Sequence, residues 1–189
     1  AENHYNLGNA RSKQDKTNLA INSFQLAILL NPEFSNAHNS LGIALKSAGQ
    51  IEPALHSYRK AIEIDPNFAE AFYNMGNLFK DQGNLEDAKR CFKSSLAIEA
   101  SLCEAHFNLG VIYKTQGKLD QAINSYSQAV QVNPMLHEGY NNLGLCLQDQ
   151  GNLSAALKTF QAAVKLQPDY TDAIYNMGNV LKDMDDFAG

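Results

Sequence analysis

The stretch Tyr73–Ala88, YNMGNLFKDQGNLEDA, decides how the whole chain folds. It reads as the body of one helix, a glycine-marked turn at Gly83, and the opening of a second helix that begins with acidic residues. A version of the same phrase closes the chain as YNMGNVLKDMDDFAG at Tyr175–Gly189, three steps of 34 residues later. Working outward at that step, Gly8, Gly42, Gly76, Gly110, Gly144 and Gly178 form one series, and Gly49, Gly83, Gly117 and Gly151 a second, so ten of the twelve glycines fall in two phases. Ala20, Ala54, Ala88, Ala122 and Ala156 form a third. Phe24, Tyr58, Phe92, Tyr126 and Phe160 form a fourth, and Pro32, Pro66, Pro134 and Pro168 a fifth that is broken only at Ala100.

A period of 34 with this Leu-Gly, Ala, aromatic and Pro phasing resembles the tetratricopeptide repeat along the entire chain. The resemblance implies an all-α, right-handed superhelical solenoid of antiparallel helix-turn-helix hairpins. One array, 1–189, is expected, with repeats at 1–34, 35–68, 69–102, 103–136 and 137–170 and a partial repeat at 171–189. Within each repeat, helix A should occupy positions of about 2 to 14 and helix B about 18 to 31.

The punctuation has physical reasons. Glycine at position 15 suits a left-handed C-terminal cap, and Asn18, Glu52, Glu86, Asp120 and Ser154 suit the positive end of helix B. Proline at position 32 pushes its predecessor out of the helical region. Gly at position 8 and Ala at position 20 let the two helices approach closely beside the position-24 ring. Asp15 and Asp185 replace glycine at the cap, so looser turns are expected there, and Ala100 should let its B helix end less sharply. Pro53 falls in a first turn, where proline is tolerated.

With 44% hydrophobic residues in 189, the chain can bury a sizeable core. A net charge of -5 and a pI near 5.5 supply no basic field, which argues against nucleic acid and anionic membranes as partners. No apolar run reaches the ~18 residues of a membrane span. Cys91, Cys103 and Cys146 are odd in number and lack CxxC spacing, so buried, reduced thiols and an intracellular, cytoplasmic setting are expected.

On a helical wheel, positions 3, 4, 7, 8, 10, 11 and 14 of helix A form the core arc, leaving 2, 5, 6, 9, 12 and 13 as the inner wall of a curved array. Position 6 is asparagine in five of six repeats: Asn6, Asn74, Asn108, Asn142 and Asn176, with Ser40 as the exception. A file of amides, each a donor and an acceptor, suits the backbone of an extended peptide. The competing reading is that these amides bond only within their own array. Position 5 offers Tyr5, Tyr73, Phe107 and Tyr175, and position 9 offers Ile43, Val111 and Leu145, apolar groups that a partner could cover. Alternatively the rings cover neighbouring helices. Acids at position 2 (Glu2, Glu70, Glu104, Glu138, Asp172) and lysines at position 12 (Lys46, Lys80, Lys114, Lys182) could orient a ligand, or could simply match the helix dipole.

The tetratricopeptide resemblance implies partner binding. The clamp that grips chaperone tails in co-chaperones of this family uses Lys and Asn, then Asn, then Lys and Arg in three successive repeats; this chain offers Tyr73 and Asn77, then Asn108, then Glu138 and Asn142, so the asparagines are present but the cationic clamp is absent. The asparagine-rich phrases look more like the substrate-selecting arm of O-linked N-acetylglucosamine transferases. Nothing in the chain resembles the glycosyltransferase domain itself.

No GxSxG, HExxH or P-loop pattern occurs, and the hairpins promise no obvious pocket. His4, His38 and His106 share position 4 in separate repeats and are expected to pack in the hairpins rather than converge on a metal. Neither a Cys-His nucleophile pair nor a cofactor is expected. The chain starts in register without Met and stops after a sixth A helix, as a fragment of a longer array would. That helix should expose Met177, Leu181, Met184 and Phe187 and favour end-to-end self-association. Three functions follow: a non-catalytic scaffold binding a peptide or partner segment in the concave groove, a substrate-recruiting arm of a larger enzyme, or a self-associating structural scaffold.

Overall fold

The computed structural model describes residues 1–186, with the side chain of Asp186 excepted. Helices are the regular secondary structure among the described residues: α1 (Glu2–Ser12), α2 (Thr17–Leu30), α3 (Ser35–Ser47), α4 (Ile51–Ile64), α5 (Ala69–Asp81), α6 (Leu85–Ile98), α7 (Cys103–Thr115), α8 (Leu119–Val132), α9 (His137–Asp149), α10 (Leu153–Leu166) and α11 (Thr171–Asp186). Odd-numbered helices are the A helices and even-numbered ones the B helices, so the described residues form five hairpins followed by a further A helix in all-α architecture. The chain divides into two compact units, Ala1–Ala100 and Ser101–Gly189.

The 34-residue phasing becomes packing inside each hairpin. The five seam alanines have no exposed surface, and the position-24 rings beside them are buried to the same degree. A side chain on the position-8 glycine would run into that ring: a Cβ at Gly8 would lie 2.5 Å from Phe24, and one at Gly144 would lie 2.6 Å from Phe160. In the first unit the cluster of Ala20, Phe24, Leu41, Ala54, Tyr58 and Leu78 runs from one hairpin to the next, so each hairpin completes its neighbour's core. In the second unit Ala156, Phe160 and Val180 do the same between α10 and α11.

The turns follow the glycine series. Gly49, Gly83, Gly117 and Gly151 have φ of 73°, 75°, 68° and 83°, and Asp15 is pulled to 56° at the equivalent place. Asp185 departs from expectation. It lies inside α11, which runs on through Asp186. Asp15 must turn because α2 folds back on α1, whereas no second helix packs on α11 among the described residues to enforce a turn.

One further expectation is corrected and another is refined. Glu52, Glu86 and Asp120 stand in the first turns of their B helices, as the dipole favours, while the residue before each B helix is Lys16, Gln50, Asn84, Lys118 or Asn152, two places earlier than the polar positions singled out from the sequence; of these, Asn84 and Asn152 cap with their side chains, accepting from the amides of Asp87 and Ala155. And α6 stops as sharply as its counterparts despite Ala100. It has the same 14 residues, and Glu99 is as extended (φ -129°) as Asp65 (φ -127°), which does precede a proline. The shared feature of the junction is that extended residue, and proline only reinforces it.

Candidate functional site

In the first unit the helix-A wall is built by α1, α3 and α5. Tyr5 packs on both Phe24 and Phe34, with centroids 6.0 and 4.9 Å away, and Tyr73 tilts against Phe92 at 5.8 Å. The position-5 rings are therefore half-buried lids over the hairpin seam, with one edge left to solvent. Where position 5 is asparagine, the amide does another job. Asn39 is buried and accepts from Asn74 Nδ2 of the next repeat at 3.1 Å, while its own Nδ2 donates to Glu70 at 3.3 Å. Lys46 reaches Asp81 of the next repeat at 2.6 Å, an ion pair between half-exposed groups worth about 0–1 kcal/mol. Asn6 is exposed, and Asn77 and Lys80 are half-buried with partners of their own.

The second unit repeats the pattern. Phe107 meets Tyr126 edge-on at 5.6 Å, and Asn176 Nδ2 donates to the buried Asn141 at 3.0 Å, 35 residues back as in the Asn74–Asn39 pair. Asn142 Nδ2 donates to the Glu138 carbonyl of its own helix at 2.9 Å. Asn108 is buried and engaged. Val111, Lys114 and Leu145 stand half-buried at positions 9 and 12, Leu145 leaning on the Phe160–Val180 cluster. Tyr175 on α11 is largely exposed.

The pairing of position 5 with position 6 of the next repeat was not read from the sequence. Its signal was available: asparagine at 39 and 141 interrupts a run of rings, and in both cases asparagine stands 35 residues later. A buried amide needs a partner, and the repeat step supplies one.

The three thiols are shielded by burial. Burial pushes the Cys91 thiol up to about 11, and raises Cys103 and Cys146 as well, so all three stay protonated at neutral pH. His38 shares a hydrogen with the Pro32 carbonyl at 2.9 Å. That histidine and His56 line a cleft of about 310 Å³ between α2, α3 and α4, which the sequence reading of pocketless hairpins did not foresee. Lys60 and Glu63 at the same cleft are paired to each other at 2.7 Å. Among the described residues no three His, Cys, Asp or Glu side chains are grouped to hold a metal ion, and no helix is long and apolar enough to cross a membrane.

Family models described as "TPR repeat" match residues 44–83, 76–117 and 113–151, and models described as "Tetratricopeptide repeat" match 1–34 and 137–170. No curated relative matches in sequence. Among solved structures, the chain is similar to PilF of Pseudomonas aeruginosa (TM-score 0.86, 17% identity, covering 99% of this chain and 85% of that one). It is also similar to MamA (TM-score 0.77, 22% identity, 87% and 96% covered). A third is YrrB, described as a TPR protein with an unusual peptide-binding site (TM-score 0.73, 20% identity, 91% and 89% covered). At these identities the likeness is one of fold.

Proposed function

The chain belongs to the tetratricopeptide repeat family, and on that premise we propose that it is a protein-interaction scaffold whose A helices receive an extended peptide. The observation that carries this reading is the pairing of a half-open apolar residue with a lysine one turn further on, Val111 with Lys114, beside the half-buried ring of Phe107. The fold does not require an apolar group at that position, since Asn9, Asn77 and Asn179 occupy it in other repeats. Ile43, 40% exposed, gives the first unit its own version. Such a strip accepts side chains, and amides such as Asn142 and Asn6 can address backbone.

The bonded asparagines narrow the expectation. Asn74 and Asn176 hold one repeat to the next, so their first duty is to the stack, and replacing them would test stability as much as binding. The protonated thiols, the carbonyl-bonded His38 and the Lys60–Glu63 pair support a scaffold without chemistry of its own.

The test is selection of displayed random peptides on the intact chain, followed by titration of the enriched peptides against Val111→Asp and Ile43→Asp. Loss of at least about tenfold in affinity with an unchanged melting curve is expected, since one desolvated apolar contact is worth ~1.5–3 kcal/mol. Failure to enrich any peptide, or equal binding by both variants, would overturn the assignment.

A further inference from the structure

In the second unit the half-open apolar strip runs beside a row of carboxylates. On α7 and α9 the strip is Val111 and Leu145, with the half-buried ring of Phe107 next to it. Seven residues earlier on the same helices stand Glu104 and Glu138, each in a first turn, and Asp172 holds that place on α11. All three are exposed, and none is ion-paired among the described residues. Seven helical residues rise about 10 Å and complete nearly two turns, so both rows face the same way. The row is continuous from one repeat to the next: the hydroxyl of Tyr170 has its ionisation raised by burial and then by the charges of Asp172 and Glu138 together. The fold does not require that hydroxyl, since Phe34, Phe68, Leu102 and Leu136 occupy its place.

The first unit lacks this arrangement. Its corresponding row is Glu2, Asn36 and Glu70, and Glu70 already accepts from Asn39 Nδ2. The helix dipole favours an acid in a first turn, but Asn36 shows that a hairpin does not need one. Lys114 and Lys182 stand at the far end of the same wall, where Asp149 and Asp183 offset them. On α11 the sequence reading put the open surface at Met177 and Met184. Both instead pack on the Phe160 cluster, while Asp172 is exposed, and Phe187 lies outside the described residues.

We propose that the segment received by the second unit is cationic, an extended stretch in which apolar side chains alternate with arginine or lysine. This rests on the A-helix wall being a peptide site, and gives that site its charge preference. Successive side chains of an extended chain point to opposite sides. One set then meets Val111 and Leu145, and the other meets Glu104, Glu138 and Asp172 about 10 Å away along the helices. Between the two rows lies Asn142, whose amide oxygen can accept a backbone N–H of the segment while its Nδ2 stays on the Glu138 carbonyl. Beside Tyr170, arginine fits better than lysine, because its planar guanidinium pairs with a carboxylate and stacks on a ring.

The test titrates two short labelled peptides against the intact chain by fluorescence anisotropy, one alternating valine with arginine and the other valine with glutamine. At ~50 mM salt the arginine peptide should bind at least about tenfold more tightly, and most of that advantage should vanish at ~300 mM, where charges are screened within about 6 Å. Glu138→Lys with Asp172→Lys should abolish the preference. The milder Glu138→Gln with Asp172→Asn, which adds no repulsion at the helix starts, should reduce it with the melting temperature kept. An equal change of net charge at exposed acids off this wall, Glu52→Lys with Glu99→Lys, should leave it intact, which separates the row from the general attraction of an acidic chain for a basic peptide. Equal binding of the two peptides, with the glutamine peptide weakened by Val111→Asp, overturns the charge preference and leaves the peptide wall standing. A preference indifferent to Glu138 and Asp172, or lost as readily with Glu52 and Glu99, overturns it too. No binding of either peptide overturns the wall along with it.

Discussion

At the scale of single residues, one position behaves oppositely in two places. Gly144→Ala should destabilise the protein by ~1–3 kcal/mol, because the new methyl group would sit 2.6 Å from the buried Phe160 ring, which has no room to retreat. Gly178→Ala, the same change at the same repeat position, should be neutral or stabilising by up to ~1 kcal/mol, because glycine is the poorer helix former and nothing described lies nearby. Thermal unfolding of the two variants side by side separates them, and equal shifts would contradict the packing. Tyr126 poses a different problem. Its hydroxyl is buried with no hydrogen-bond partner among the described residues, and burial raises its ionisation above the ordinary tyrosine range. Phe24, Phe92 and Phe160 fill the same site without a hydroxyl. Tyr126→Phe should therefore raise stability by up to ~1 kcal/mol, the desolvation cost of an unpaired hydroxyl, which chemical denaturation would register as a higher midpoint at constant slope.

Between residue and molecule stands the hairpin, and its turn is where the five copies differ. Four of them place glycine at a φ of about 70–80°, as at Gly49 (73°) and Gly83 (75°), but the first forces Asp15 to 56°. For a residue with a Cβ the left-handed region is costly, and aspartate is among the more tolerant. Asp15→Gly should then stabilise α1 against α2 by ~0.5–1 kcal/mol, the relief of that conformation exceeding the entropy glycine adds to the unfolded chain. Faster-than-wild-type amide exchange in α1 of that variant would refute the argument. Sequence reasoning found this strained turn because the glycine series exposed its own exception. It misjudged Asp185 and Ala100 for a common reason: both readings treated a local signal as sufficient, whereas no second helix among the described residues packs on α11 to bend it at Asp185, and the extended conformation of Glu99 ends α6 without a proline.

For the molecule as a whole, the hairpins, their boundaries and their seams were legible because close helix packing constrains glycine, alanine and ring positions identically in every repeat. The candidate binding wall was less legible, because an exposed position obeys no such constraint and the same asparagine can serve the stack or a ligand. Asn74 and Asn142 share a position, yet one crosses to Asn39 and the other turns back to Glu138. Repetition also governs how the chain should come apart. Each hairpin is completed chiefly by its neighbours, so stability is close to a sum of hairpin and nearest-neighbour contributions. The seam damage of Gly144→Ala lies within the Ser101–Gly189 unit, between α9 and α10. Amides of α9, α10 and α11 should exchange faster in that variant, by about tenfold for each ~1.4 kcal/mol lost, while those of α1 to α4 keep their wild-type rates. Uniform acceleration from α1 to α11 would mean that the array opens as one cooperative body, and the nearest-neighbour picture would have to be abandoned.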